Sequence, residues 1–160
     1  MARPLILLTN DDGVQAPGIA ALREALSDDA DVITVAPDRE RSATSHSISL
    51  DRPLRVDDLG PSLYAVDGTP ADCVYLALLH LVPRRPALCV SGINDGYNLG
   101  SDVFYSGTVA GAREAAMRGI PSIVFSYAGS QGFESCVSTV RQMVLRLLHA
   151  PVASWTGEPI

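Results

Sequence analysis

Two adjacent carboxylates, Asp11 and Asp12, follow the apolar run Leu5-Ile6-Leu7-Leu8 and are closed by Gly13. An unbroken apolar run that ends in a turn signal reads as a buried strand. Like charges side by side where a strand leaves its sheet repel each other, and each needs water or a partner. A hard divalent cation meets both needs and suits phosphate chemistry. The plainer reading is an Asp-Gly turn that ends the strand, with Asp11 capping the following helix. Three other groups of oxygen-bearing side chains stand beside this pair. Ser42 lies in Asp38-Arg39-Glu40-Arg41-Ser42-Ala43, which also reads as a solvated charge cluster. Asn94 and Asn98 lie in the glycine-rich stretch Ser91 to Gly100, whose Asn-Asp-Gly is also turn chemistry. Ser106-Gly107-Thr108 precedes a helical pattern, where it is either an anion-holding helix start or an ordinary serine cap.

The elements that must position these groups alternate. Leu5 to Thr9 reads as a strand, Pro17 to Leu26 as a helix with Ile19, Leu22 and Leu26 at helical spacing, and Asp31 to Ala36 as a second strand. Ser47 to Leu50, Leu54 to Val56 and Leu63 to Val66 predict small antiparallel strands inserted into the pattern. Thr69-Pro70-Ala71-Asp72 resembles a capping box opening a helix through Leu81. Ala87 to Ser91 is a further buried strand, Gly92 to Ser106 a long loop, Val109 to Arg118 a helix, Ser122 to Tyr127 a strand and Glu134 to His149 a last helix. The tail from Ala150 has no pattern. The expected fold is therefore α/β: one three-layer, Rossmann-like domain over residues 1–160, with a mainly parallel sheet and a small antiparallel β insertion. Sites in such sheets lie outside the carboxyl ends of the strands, and three of the oxygen-rich segments fall there.

Composition narrows the chemistry. All twelve basic residues are arginine, which excludes a P-loop lysine, a Schiff base and any lysine base. The net charge of −6, with no basic cluster, argues against polymeric nucleic acid. Cys73, Cys89 and Cys136 are odd in number and lack metal spacing, so reduced buried thiols are expected. His46 and His80 show no metal spacing either; His80 reads as structural, and His46 neighbours the candidate site without an evident partner. No apolar stretch is long enough to cross a bilayer, and Met1-Ala2-Arg3-Pro4 runs into a strand without a signal-peptide pattern. No membrane partner is expected, and the expected location is cytoplasmic.

Thr9 to Gly13, Ala36 to Ala43, Gly68 to Val74, Val90 to Asn94 and Tyr105 to Val109 resemble, in order and spacing, the SurE family of survival-protein 5′-nucleotidases. The resemblance extends from the first residue to about Tyr127. It implies metal-dependent hydrolysis of nucleoside 5′- and 3′-monophosphates, and some members also trim short polyphosphate. One divalent cation per chain, Mg²⁺ or Mn²⁺, would be held by Asp11, Asp12, Ser42 and Asn94. Asn98, Ser106, Gly107 and Thr108 would hold the phosphate. Asp11 and Asp12 are the catalytic candidates, with Asp11 orienting or deprotonating the attacking water. A phosphoaspartate route is less favoured, because the haloacid-dehalogenase pattern separates its two aspartates by one residue. Family members usually continue past the last helix into another strand and a C-terminal arm that helps form dimers or tetramers. This sequence stops at Ile160, short of that strand, so a homodimer or homotetramer is expected in weakened form. The alternative expectation is a shortened relative that binds a cation or nucleotide without turnover.

Overall fold

The computed structural model describes residues 3–150. Strand β1 (Leu5–Thr9) is buried along its whole length, as a central strand of a covered parallel sheet must be. Helix α1 (Pro17–Leu26) starts on Pro17 and turns Ile19, Leu22 and Leu26 inward. Strand β2 (Asp31–Pro37) is followed by a long connection and a hairpin of β3 (Val56–Gly60) and β4 (Leu63–Val66). Helix α2 (Pro70–Leu76) comes next, then β5 (Leu88–Asp95), the short α3 (Asp102–Tyr105), α4 (Gly107–Met117), β6 (Ser122–Tyr127) and α5 (Glu134–His149).

The sheet order is β3-β4-β2-β1-β5-β6, and only the β3–β4 pair is antiparallel. From β1 the chain steps outward through β2 to β4, then crosses back to lay β5 and β6 on the other side of β1. The order therefore reverses between β1 and β5, and the crevice at such a switch point is where open α/β sheets bind ligands. Alternation along β1 feeds two cores. Ile6 and Leu8 pack with Ile19, Leu22 and Leu26 of α1 and Val140 and Val144 of α5. Leu5 and Leu7 pack with Cys73 and Val74 of α2 and Ala115 of α4. Cys73 and Cys89 are buried free thiols, and burial pushes Cys89 up to about 12.

Four local expectations need correction. Ser47 to Leu50 is not a strand. Asp72 takes its backbone instead: Ser49 donates its amide to Asp72 Oδ1 at 2.8 Å, and the Ser47 carbonyl accepts from Thr69 at 2.7 Å. Leu54 to Val56 is likewise no separate strand, since β3 begins at Val56; the antiparallel part is one hairpin on the edge of the main sheet. The helix opened by the Thr69–Asp72 capping box leaves α geometry after Leu76 and finishes as a π-helical turn over Ala77–Leu81. The strand expected to stop at Ser91 runs on to Asp95, so Asn94 sits on β5 and the loop after it is shorter and carries α3. The patternless tail falls almost wholly outside the described residues. Among them, no helix is long and apolar enough to cross a membrane.

Candidate cation and phosphate site

The end of β1 is tied into a turn by its own side chain. Asn10 Nδ2 donates to the Gly13 carbonyl at 2.9 Å, and the Gly13 amide donates back to Asn10 Oδ1 at 3.2 Å. Gly13 takes φ +104°, and a Cβ there would stand 3.2 Å from the Arg39 carbonyl carbon, so both its backbone and its neighbours call for glycine. The cap of α1 is Ala16, which makes no side-chain hydrogen bond; Asp11 is therefore no helix cap. The Asp11 carbonyl instead accepts the Arg41 amide at 2.7 Å, drawing the connection after β2 over the end of β1.

That connection carries Ser42, whose hydroxyl donates to Glu40 Oε1 at 2.7 Å. Ala43 and Ser45 adopt left-handed φ values of 55° and 53°, a conformation that persists only where neighbours enforce it. The enforcing contacts are visible. Ser45 donates its amide to the Tyr105 carbonyl and its hydroxyl to the Phe104 carbonyl, both at 2.9 Å. His46 Nε2 meets Glu114 Oε2 at 2.9 Å, and the other Glu114 oxygen accepts from Arg118 Nε at 2.7 Å. His46 thus gains the partner that the sequence left unnamed. Glu114 is buried on α4, on the face that already bears Gly107 and Gly111; helical spacing of i, i+4 and i+7 was the available signal for it.

Asn94 reaches the site through an irregularity. From Ser91 to Asn94, β5 advances three residues while β6 advances two, from Val124 to Ser126. The extra residue resets the alternation, so Asn94 falls on the same face as Ser91. Both then touch Thr108: the Ser91 hydroxyl donates to the Thr108 carbonyl at 2.6 Å, and Asn94 Oδ1 lies 2.9 Å from Thr108 Oγ1. Asn94 Nδ2 donates to the Gly96 carbonyl at 3.0 Å, which aims Oδ1 inward.

The third contributor is the start of α4. Ser106 Oγ accepts the Val109 amide at 3.1 Å, leaving the preceding first-turn amides outside the helix ladder. Gly107 rests on the first carboxylate: a Cβ there would come within 2.8 Å of Asp11 Cβ and 3.0 Å of Asp11 Oδ2. The Thr108 side chain is fully buried behind the carboxylate, its hydroxyl bonded to Asp11 Oδ1.

These parts enclose a cleft of about 320 Å³. Asp11, Asp12, Ser42, Asn94, Asn98 and Ser106 line it, together with Glu40, Asp95, Asp102, Tyr97 and Tyr105. Gly107 and Thr108 support the wall from behind. Asn98 donates to Ser126 Oγ at 2.8 Å, and the Asp95 amide donates to Asp12 Oδ2 at 3.2 Å. Asp102, Tyr97 and Tyr105 had no sequence signal beyond their place in a glycine-rich stretch. Among the described residues no arginine or histidine lines the cleft. Arg41, next to Ser42 in the chain, is turned to the Asp38 carboxylate and the Asp67 carbonyl.

Burial shifts the Asp11 and Asp12 carboxyls upward. Burial pushes the Asp11 carboxyl up, offset in part by the Thr108 hydroxyl. Asp12 is pushed up to about 6, first by burial and then by the neighbouring Asp11 and Asp95 charges against the opposing Asp95 amide. The Thr108 hydroxyl also has one proton for two acceptors, Asp11 Oδ1 and Asn94 Oδ1. Among the described residues no three His, Cys, Asp or Glu side chains form a ready cage. The donor set is instead two carboxylates with neutral hydroxyl and amide oxygens, which fits magnesium or manganese.

An open, mainly parallel sheet with oxygen donors gathered at its switch point defines a doubly wound α/β protein with a rim site. The chain belongs to the SurE family: the family model described as "Survival protein SurE" matches residues 6–158. It is 60% identical over 127 residues to the 5′-nucleotidase SurE of Sorangium cellulosum, covering 78% of this chain and 49% of that protein. It is 51% identical over 152 residues to the 5′-nucleotidase SurE of Vibrio parahaemolyticus, covering 94% of this chain and 59% of that one. The crystal structure of the SurE protein from Aquifex aeolicus superposes with a TM-score of 0.86 at 45% identity, over 98% of this chain and 62% of that chain. The chain thus spans about half to three-fifths of the length of these curated relatives.

Proposed function

We propose that this cleft hydrolyses nucleoside 5′-monophosphates, and 3′-monophosphates by the same chemistry, to nucleoside and phosphate in a metal-dependent reaction. The observation that carries the reading is the meeting of three connections at one crevice. The ends of β1 and β5 and the loop after β2 bring Asp11, Asp12, Asn94 and Ser42 to one cleft, with the start of α4 packed against Asp11. Asp11, Asp12, Ser42 and Asn94 would hold the cation. When bound, Mg²⁺ or Mn²⁺ supplies Lewis-acid polarisation of the phosphate and acidifies a water.

The chain's own groups have distinct parts. Asp11 Oδ1 is fixed by Thr108, which leaves Oδ2, beside the bare Gly107, to orient the attacking water and take its proton. The first-turn amides of α4 and the Ser106 hydroxyl face the growing negative charge on the non-bridging oxygens. Asn98 lines the cleft and, with one amide hydrogen on Ser126, has its second as a further donor to phosphate. Thr108 works from behind, by holding Asp11 and Asn94 in register. The curated names of the relatives, 5′-nucleotidase, support the substrate class.

Phosphate release from a nucleoside 5′-monophosphate with Mn²⁺, and its loss with a chelator, tests this directly. Turnover that persists after chelation, or in Asp11→Asn, rules the mechanism out.

A further inference from the structure

The cleft has a second chemical character that the phosphate chemistry does not use. Tyr97 and Tyr105 line the same cleft as the carboxylates, yet remain 70% and 63% exposed. Leu99 and Phe104 of the same stretch are equally open, at 65% and 68%, but of these four side chains it is the two tyrosines that line the cleft. Their places in the chain are set by the site itself. Tyr97 precedes Asn98, and Tyr105 precedes Ser106, the cap of α4. Each ring therefore stands one residue from a group placed on the phosphate. The loops that carry them are anchored. The Gly96 amide donates to the Tyr127 carbonyl at 2.8 Å, and the Tyr105 carbonyl accepts from Ser45 at 2.9 Å.

Groups able to read a base by its edge are scarce in this cleft. Among the described residues that line it, Asn94 and Asn98 carry the amides; Asn94 is committed to Thr108 and Gly96, and Asn98 to Ser126 and to the phosphate proposed above. The remaining polar side chains are carboxylates and hydroxyls, and no arginine stands among them. Flat π-surface is what the two tyrosines add to the cleft. We infer that Tyr97 and Tyr105 form a stacking subsite that holds the nucleobase of the substrate by its faces, so that the enzyme binds nucleotides in preference to sugar phosphates while tolerating any base. This rests on the function proposed above. Stacking suits such tolerance because every base has a π-face.

The test compares adenosine 5′-monophosphate with ribose 5-phosphate, which carries an anomeric hydroxyl in place of the base. In the full chain with Mn²⁺, KM for the nucleotide should be roughly tenfold lower than for the sugar phosphate, the range expected for one stacked base. Tyr97→Ala with Tyr105→Ala should close that gap by raising the nucleotide KM and leaving the sugar-phosphate KM alone. Both Tyr→Phe variants should keep it. Saturation-transfer NMR with adenosine, which has no phosphate to release, gives a readout independent of turnover: the ring protons should receive saturation from the wild type and lose it in the alanine variants. Alanine variants that shift both KM values equally, or neither, with adenosine saturation unchanged, overturn the subsite while the hydrolase stands. Tyrosine-dependent saturation of adenosine without phosphate release from either compound supports the subsite and overturns the hydrolase.

Discussion

The two rims of the sheet treat charge in opposite ways. At the amino end, where β1, β2 and β5 begin, every charge named here has a partner. Arg84 donates to Asp31 at 2.6 Å and to the Arg3 carbonyl at 2.8 Å, Arg3 donates to the Ala30 carbonyl at 2.9 Å, and Arg85 to the Gly119 carbonyl at 2.6 Å. At the carboxyl end Asp11, Asp12, Glu40, Asp95 and Asp102 share one cleft, and among the described residues no arginine lines it. The first rim is built like a fold closing its edges. The second gathers carboxylates without arginine within a well-packed frame, the pattern that picks out a candidate site. The lesson is that placement of counter-charge, more than the number of charges, separates a structural rim from a working one.

That contrast can be broken in order of expected effect. Asp11→Asn should lower metal-dependent phosphate release by about 10³-fold or more, the scale of a lost general base, as read in a phosphate assay. Gly107→Ala should cost about 1–3 kcal/mol in urea denaturation as well as activity, because the new methyl meets Asp11 Cβ at 2.8 Å and the Arg41 carbonyl at 3.2 Å. Asp12→Asn should do the reverse to stability. A carboxyl raised in the fold to about 6 binds its proton more tightly there than in the unfolded chain. Its contribution to stability is present at low pH and is lost as pH rises from the ordinary carboxylate range through about 6. With chelator at pH 7 the variant should therefore be more stable by about 1 kcal/mol, a figure discounted for the solvent that screens a half-open group. Its Tm should also no longer rise with Mn²⁺. At the other rim Arg84→Ala should change stability by less than about 1 kcal/mol and leave turnover alone, since the Arg84–Asp31 pair is about half exposed on both sides.

Much of this was legible in the residues. The apolar run Leu5 to Leu8 and the spacing of Ile19, Leu22 and Leu26 fix β1 and α1 through burial alone, and the strand-end rule then points to Asp11, Ser42 and Asn94 without coordinates. What stayed hidden depends on contacts distant in sequence. Ser47 to Leu50 alternates like a strand, yet Asp72 and Thr69, some twenty residues away, take its backbone bonds. The glycines and Asn-Asp-Gly after Ser91 read as loop, yet pairing with β6 carries the strand on to Asp95. Thr108 reads as a phosphate donor beside Ser106, and only the structure, with α4 packed on β5 and β6, shows its hydroxyl turned back to Asp11.

The surplus residue between Ser91 and Asn94 sets the phase of everything beyond it on β5. Shortening the strand there by a single position would rotate the asparagine to the opposite layer, toward α1, while the hydrophobic residues before it kept their seats. A deletion of that size is expected to separate fold from the proposed activity in one step: a protein still folded on both layers, carrying a rim that has lost one of the four side chains proposed to hold a cation.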